Sequence, residues 1–203
     1  SADGVAPFVF RLAQSTGMNA DPIAGLNVDD LVMEHSATGR PCLRYWKERS
    51  TGGKELHLDW FEAKLQWLTN KQSIEVKDIV DTILMLTKSI RSNAPEEVKN
   101  VLFIFQSVGQ RTYGKITSFA NTKSYSIYSN FVERNELTNE KGKPLKFTLT
   151  RFRPSFVSEV VEAGVSIREI QLMLGHGNIE TTMAYLDRLD FNRIARQKLK
   201  DIL

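Results

Sequence analysis

One cysteine, Cys42, is present in 203 residues. The chain therefore has no internal disulfide and no cysteine-based zinc site. Histidine is almost as sparse: His35, His57 and His176 show no metal-ligand spacing. No apolar run reaches the roughly 20 residues that span a bilayer, and no signal peptide is visible. A strong excess of one charge is missing too. Lys and Arg number 27 against 24 Asp and Glu, for a net charge of +3 and an isoelectric point near 8.9. That balance permits nucleic-acid binding without demanding it. Internal repeats and low-complexity segments are also lacking. These absences exclude a disulfide scaffold and a helical membrane protein, and a cytoplasmic protein fits best.

What is present is an ordinary globular composition, 41% hydrophobic and 25% charged. It suffices for one well-packed domain, or at most two small ones. The most informative stretch runs from Thr150 to Leu186. Arg153 opens an apolar run, Phe156, Val157, Val160 and Val161, at helical spacing. Pro154 suits the first turn of that helix and Gly164 its end. Ser166 starts a second helix with Glu169 as a capping box. Ile167, Ile170 and Leu174 are expected on its buried face. Gly175 breaks it, His176 sits in the break, and Asn178 can cap a third helix carrying Tyr185.

Three helix ends thus present an arginine, a histidine and a tyrosine from one compact unit, a set suited to chemistry on a phosphate. Arginine grips two phosphate oxygens at once. Histidine donates a hydrogen bond or moves a proton near neutral pH. A tyrosine oxygen can attack phosphorus when its neighbours offset its high pKa. Taken singly, each has a plainer role as a surface arginine or a packed aromatic.

Elsewhere, Pro7 to Gln14 reads as a helix ended by Thr16-Gly17, followed by Asn19 and a short turn or helix at Ile23 to Leu26. Leu31 to Leu58 reads as a small antiparallel sheet with strands at Leu31–Met33, Cys42–Trp46 and Glu55–Leu58. Trp60, Phe61, Leu65, Trp67 and Leu68 suggest a helix. Ile79, Val80, Ile83, Leu84, Leu86 and Ile90 mark another. Val98 to Phe105 is apolar, and Ile116 to Leu137 reads as helical in part. Asp190 can cap a basic last helix, Phe191 to Ile202. The fold class is mainly α with a small antiparallel β-sheet, an α+β domain.

The run from about Leu149 to Asp187 resembles the C-terminal half of the catalytic domain of the tyrosine recombinase (phage integrase) family. That family carries H-x-x-R, an E-A-G-V-like turn, L-G-H, and a tyrosine nine residues after that histidine. Arg153, Gly164, His176 and Tyr185 fall in those places. The resemblance implies the catalytic-domain fold of that family and DNA strand cleavage through a 3′-phosphotyrosyl link to Tyr185. Arg153 would clamp the phosphate, His176 would donate a hydrogen bond, and a hairpin lysine would protonate the leaving oxygen. Lys47 fits that lysine better, with Lys54 as the alternative. No metal and no other cofactor is implied. The implied partners are double-stranded DNA at a specific recombination site and further copies of the chain in a tetrameric synapse, in a bacterial cytoplasm or the host of a mobile element. Residues 1–203 would be the C-terminal catalytic domain, a fragment without the N-terminal core-binding domain.

Two positions depart from the pattern. Thr150 stands where the family has a histidine, and Asn19, in Thr16-Gly-Met-Asn19, where it has an arginine. Arg151, Arg11 and Arg44 are candidate compensating cations. Lys54, Arg151 and Lys115 are candidate DNA contacts, with Lys115 and Lys123 equally at home as solvated surface. Two functions stay open: an active recombinase with an atypical site, or a DNA-binding relative without cleavage that acts as an accessory or regulatory protein.

Overall fold

Helix α1 (Ala2–Thr16) runs through the middle of the molecule, with Val5, Val9, Leu12, Ala13 and Thr16 on its buried stripe. It starts five residues ahead of the expected Pro7, which lies inside it. Asp3 in its first turn pairs with Arg134 and ties that turn down. The computed structural model describes residues 1–48, 61–121, 124–146, 148–176 and 178–188. Lys54, His57, Lys123, the expected strand Glu55–Leu58 and the expected helix Phe191–Ile202 lie outside the described residues.

After α1 come α2 (Ala20–Ala24) and a three-stranded antiparallel sheet of β1 (Leu31–Val32), β2 (Cys42–Glu48) and β3 (Phe61–Trp67), in the order β1-β2-β3. The third strand corrects an expectation, because residues 61–67 were read as helix. Phe61-Glu-Ala-Lys-Leu-Gln-Trp67 alternates apolar and polar, and period two is the strand signal. The aromatic density around Trp60 and Trp67 obscured it. The register pairs Cys42 with Trp67 and Lys47 with Glu62.

Next is α3 (Asn70–Arg91), opened by a reciprocal capping box between Thr69 and Gln72. Val76, Ile79, Val80, Ile83 and Thr87 form its buried stripe, each large aliphatic contributing about 1.5–3 kcal/mol by burial. Leu86, expected on that stripe, is exposed. The apolar segment Val98 to Phe105 divides between α4 (Glu96–Lys99) and β4 (Ile104–Gln106). β4 pairs antiparallel with β5 (Ile116–Ser118), so the segment read as partly helical starts as a strand and becomes helical only at α5 (Ser124–Arg134).

A 3-10 turn at Leu149–Arg151 leads into α6 (Phe152–Glu162), α7 (Ile167–Met173) and α8 (Ile179–Arg188). Ser166 and Glu169 form the expected capping box, and the Asn178 side chain accepts from Glu180 N–H at the start of α8. Ile170 and Leu174 are buried as expected, but Ile167, the first residue of α7, is exposed. These last helices enclose a second apolar cluster of Phe156, Val157, Ile170, Met173, Leu174 and Leu186. The larger cluster gathers α1, α3 and the sheet. Among the described residues, no helix is long and apolar enough to cross a membrane.

Candidate active site

The site begins at the end of α1. Gly17 closes that helix at φ +64, a left-handed conformation that glycine adopts without steric penalty. A Cβ there would lie 2.3 Å from the Phe156 ring. α6 can therefore approach closely, and the Gly17 carbonyl faces Arg153 near the start of α6. Arg153 Nη1 donates to Gly17 O at 2.8 Å, and Nη2 donates to Leu174 O at 2.9 Å. Nη2 also lies 2.9 Å from His176 Nε2. Arg153 is only 8% exposed. A buried charge is tolerable when its donors find acceptors, and here the three acceptors come from two segments, the end of α1 and the turn after α7. Burial pushes Arg153 below the ordinary arginine value, opposed by Tyr185 and Tyr45. A guanidinium stays charged all the same.

The arginine fixes the histidine. Guanidinium N–H groups only donate, so His176 Nε2 accepts. The proton then sits on Nδ1, 2.9 Å from Thr182 Oγ1. Thr182 is fully buried on α8, one turn before Tyr185. The His176 backbone is held on both sides by Gln171, whose carbonyl accepts from His176 N–H and whose side-chain amide donates to His176 O.

Tyr185 closes the group. Its ring centroid lies 6.2 Å from that of His176, edge to face, and 5.9 Å from the guanidinium carbon of Arg153. Burial pushes its phenol above the ordinary tyrosine value, and Arg153 offsets part of the rise.

Beside these side chains opens a cleft of about 190 Å³, lined by Met18, Asn19, Pro22, Tyr45, Gln66, Arg153, Leu174, Gly175 and His176. Arg153, His176 and Asn19 thus share this cleft, with Tyr185 against the first two. Thr150 is exposed in the 3-10 turn and does not line the cleft. The Lys47 backbone lies on β2, two residues from Tyr45; its side chain is outside the described residues. Arg151 is exposed and donates to Lys146 O, and Lys115 is exposed beside the β4–β5 hairpin. Arg11 pairs with Asp78, and Arg44 donates to Asp29 O near Asp30. Among the described residues lining the cleft, Arg153 is the one lysine or arginine.

Residues 5–191 match the phage integrase family. The chain belongs to that family. As a phage integrase family member it is similar to tyrosine recombinase XerC of Leptospira interrogans, at 31% identity over 68 residues, 34% of this chain and 20% of the relative. It is also similar to XerC of Chromohalobacter salexigens, at 37% over 60 residues, 30% of this chain and 20% of the relative. The matched segment is thus a fifth of these relatives' length. Solved family structures share the fold. The Tn1549 transposon integrase in complex with circular intermediate DNA aligns with TM-score 0.56 and 17% identity, over 90% of this chain and 53% of that one. The XerH site-specific recombinase bound to difH substrate aligns with TM-score 0.51 and 17% identity, over 88% and 41%.

The sequence did not single out Tyr45, Gln66, Thr182 or the Gly17 carbonyl. Strand alternation was the available signal for Tyr45: Leu43 is buried, Arg44 exposed and Tyr45 buried. For Thr182 it was the three-residue step back from Tyr185 on a helix. Nothing local marks a backbone carbonyl as an arginine partner.

Proposed function

We propose that this phage integrase family member is the catalytic part of a site-specific DNA recombinase acting through a covalent phosphotyrosine. The observation that carries it is the Arg153–His176 contact at 2.9 Å with the Tyr185 ring against both. A guanidinium, an imidazole and a phenol gathered beside one cleft suit a phosphodiester better than any neutral substrate.

Tyr185 Oη would attack the scissile phosphorus as its proton passes to solvent water. The P–O5′ bond breaks, the strand end becomes a 3′-phosphotyrosyl ester, and the departing 5′ oxygen takes a proton. Lys47 supplies that proton, with Lys54 as the alternative donor. A second 5′-hydroxyl then attacks the ester and releases Tyr185, so bond energy is conserved. Arg153 stabilises the added charge on the non-bridging oxygens. Its attachment to Gly17 O and Leu174 O before substrate arrives supports such preorganisation. His176 donates from Nε2 once phosphate takes over the Arg153 contact. The Thr182 hydroxyl can accept or donate at Nδ1, so it supports the ring in either proton state. Double-stranded DNA at a specific site is the substrate, and further copies of the protein are the partners.

Arg153 as the one lysine or arginine among the described residues lining the cleft, together with the exposed Thr150, favours a second reading, a DNA-binding relative that does not cleave. Covalent trapping separates the two. A pool of nicked duplexes, randomised around the nick, is incubated with the protein and denatured. Recombinase activity leaves DNA on the protein, absent with Tyr185→Phe. An equal yield from both proteins would leave only the accessory role.

A further inference from the structure

We propose that the Tyr45 hydroxyl, together with the Asn19 amide, donates hydrogen bonds to the non-bridging phosphate oxygens, so that neutral donors serve where a second cation would otherwise stand. This rests on the phosphoryl-transfer reading above and names further contacts in the same cleft.

The demand comes from charge. Attack on a phosphodiester adds negative charge to the non-bridging oxygens, and preorganised donors aimed at them are the main source of rate. Arg153 is the one lysine or arginine among the described residues lining the cleft, and three of its five N–H groups already serve Gly17 O, Leu174 O and His176. The remaining acceptor capacity of a phosphate must be met by other lining groups.

Tyr45 is placed to meet it. Its side chain is 7% exposed and lines the cleft with Arg153 and His176. A Cβ on Gly175 would lie 2.4 Å from the Tyr45 hydroxyl, so the bare backbone of Gly175, at φ +62, is what admits the phenol oxygen. That glycine directly precedes His176, which places the hydroxyl beside the histidine's own segment. The neighbourhood is felt electrically, since Tyr45 is among the groups that raise Arg153. Asn19 occupies the N-cap position of α2, yet its side chain makes no capping bond and lines the cleft instead. The Gln66 amide nitrogen donates to Thr16 O at 2.7 Å, which makes it a support of the α1 end.

The test uses sodium orthovanadate, which takes up the five-coordinate geometry of phosphoryl transfer, titrated against the protein by vanadium NMR. Tyr45→Phe should weaken vanadate binding about tenfold or more, and Asn19→Ala about fivefold. In the nicked-duplex assay Tyr45→Phe should slow covalent trapping by about 10²-fold. Adding Asn19→Arg to Tyr45→Phe should recover most of that loss. Unchanged vanadate affinity and trapping in Tyr45→Phe overturn the proposal. Should circular dichroism show Tyr45→Phe unfolded, Asn19→Ala at its exposed position decides, and unchanged affinity there overturns it. Covalent adducts with no dependence on Tyr45 would sink these donors and leave the recombinase. Tyr45-dependent vanadate binding with no adduct from the parent protein would do the reverse.

Discussion

In the proposed mechanism, Thr182 serves as a positioning residue for His176. Thr182 is buried, and Thr182→Val removes the hydroxyl that meets the imidazole Nδ1. Loss of such a bond costs about 1–3 kcal/mol, which corresponds to roughly fivefold to a hundredfold in trapping rate. Thr182→Ser, which restores the hydroxyl, should recover most of it, and equal loss in both variants would point to packing alone. Tyr185 gives a pH prediction. Its phenol titrates above the ordinary value near 10, so the ultraviolet phenolate signal lost in Tyr185→Phe should appear above that pH. Because the folded value is the higher one, its linkage contribution is fully present below about pH 10 and is lost as pH rises through the folded value. Titration of this signal at or below the ordinary value would contradict the burial described for Tyr185.

The helices give the next prediction. Gly17 joins α1 to α6 by its conformation, its lack of Cβ and its carbonyl. Gly17→Ala forces a side chain into the Phe156 ring and strains a positive φ, so it should destabilise the fold by about 1–3 kcal/mol in urea melts. It should also reduce trapping, because Arg153 loses its anchor. In α3, Ile83→Ala should cost about 2–5 kcal/mol with trapping unchanged at temperatures where the protein is folded. The elements most legible in the sequence were those with local chemistry. The Ser166–Glu169 box, the Asn178 cap and the Phe156–Val157 stripe all stand where their residue types put them. Residues 61–67 were misread because aromatic weight masked a two-residue period, and the split at Val98–Phe105 because a short buried strand and a helix turn look alike when apolar. Within the site, Arg153, His176 and Tyr185 were legible from motif spacing. Tyr45 was not, since it comes from a strand more than a hundred residues away in sequence and lies against Gly175, the residue before the histidine.

At the scale of the whole molecule, the net charge of +3 leaves little long-range attraction for DNA. Binding of duplex DNA should therefore rest on local phosphate contacts and fall steeply between low and physiological salt, with a linear log–log slope. A salt-independent affinity would mean that the surface does not work through phosphates. The central claim is more specific: one tyrosine in this fold becomes esterified to a DNA strand. The direct measurement is to trap the protein on a nicked duplex, digest both partners to small fragments, and identify the nucleotide-bearing peptide by mass spectrometry. The account predicts a single modified peptide, carrying a 3′-phosphonucleotide on Tyr185 and abolished by Arg153→Met. A nucleotide on any other side chain, or an adduct that survives Tyr185→Phe, would contradict it.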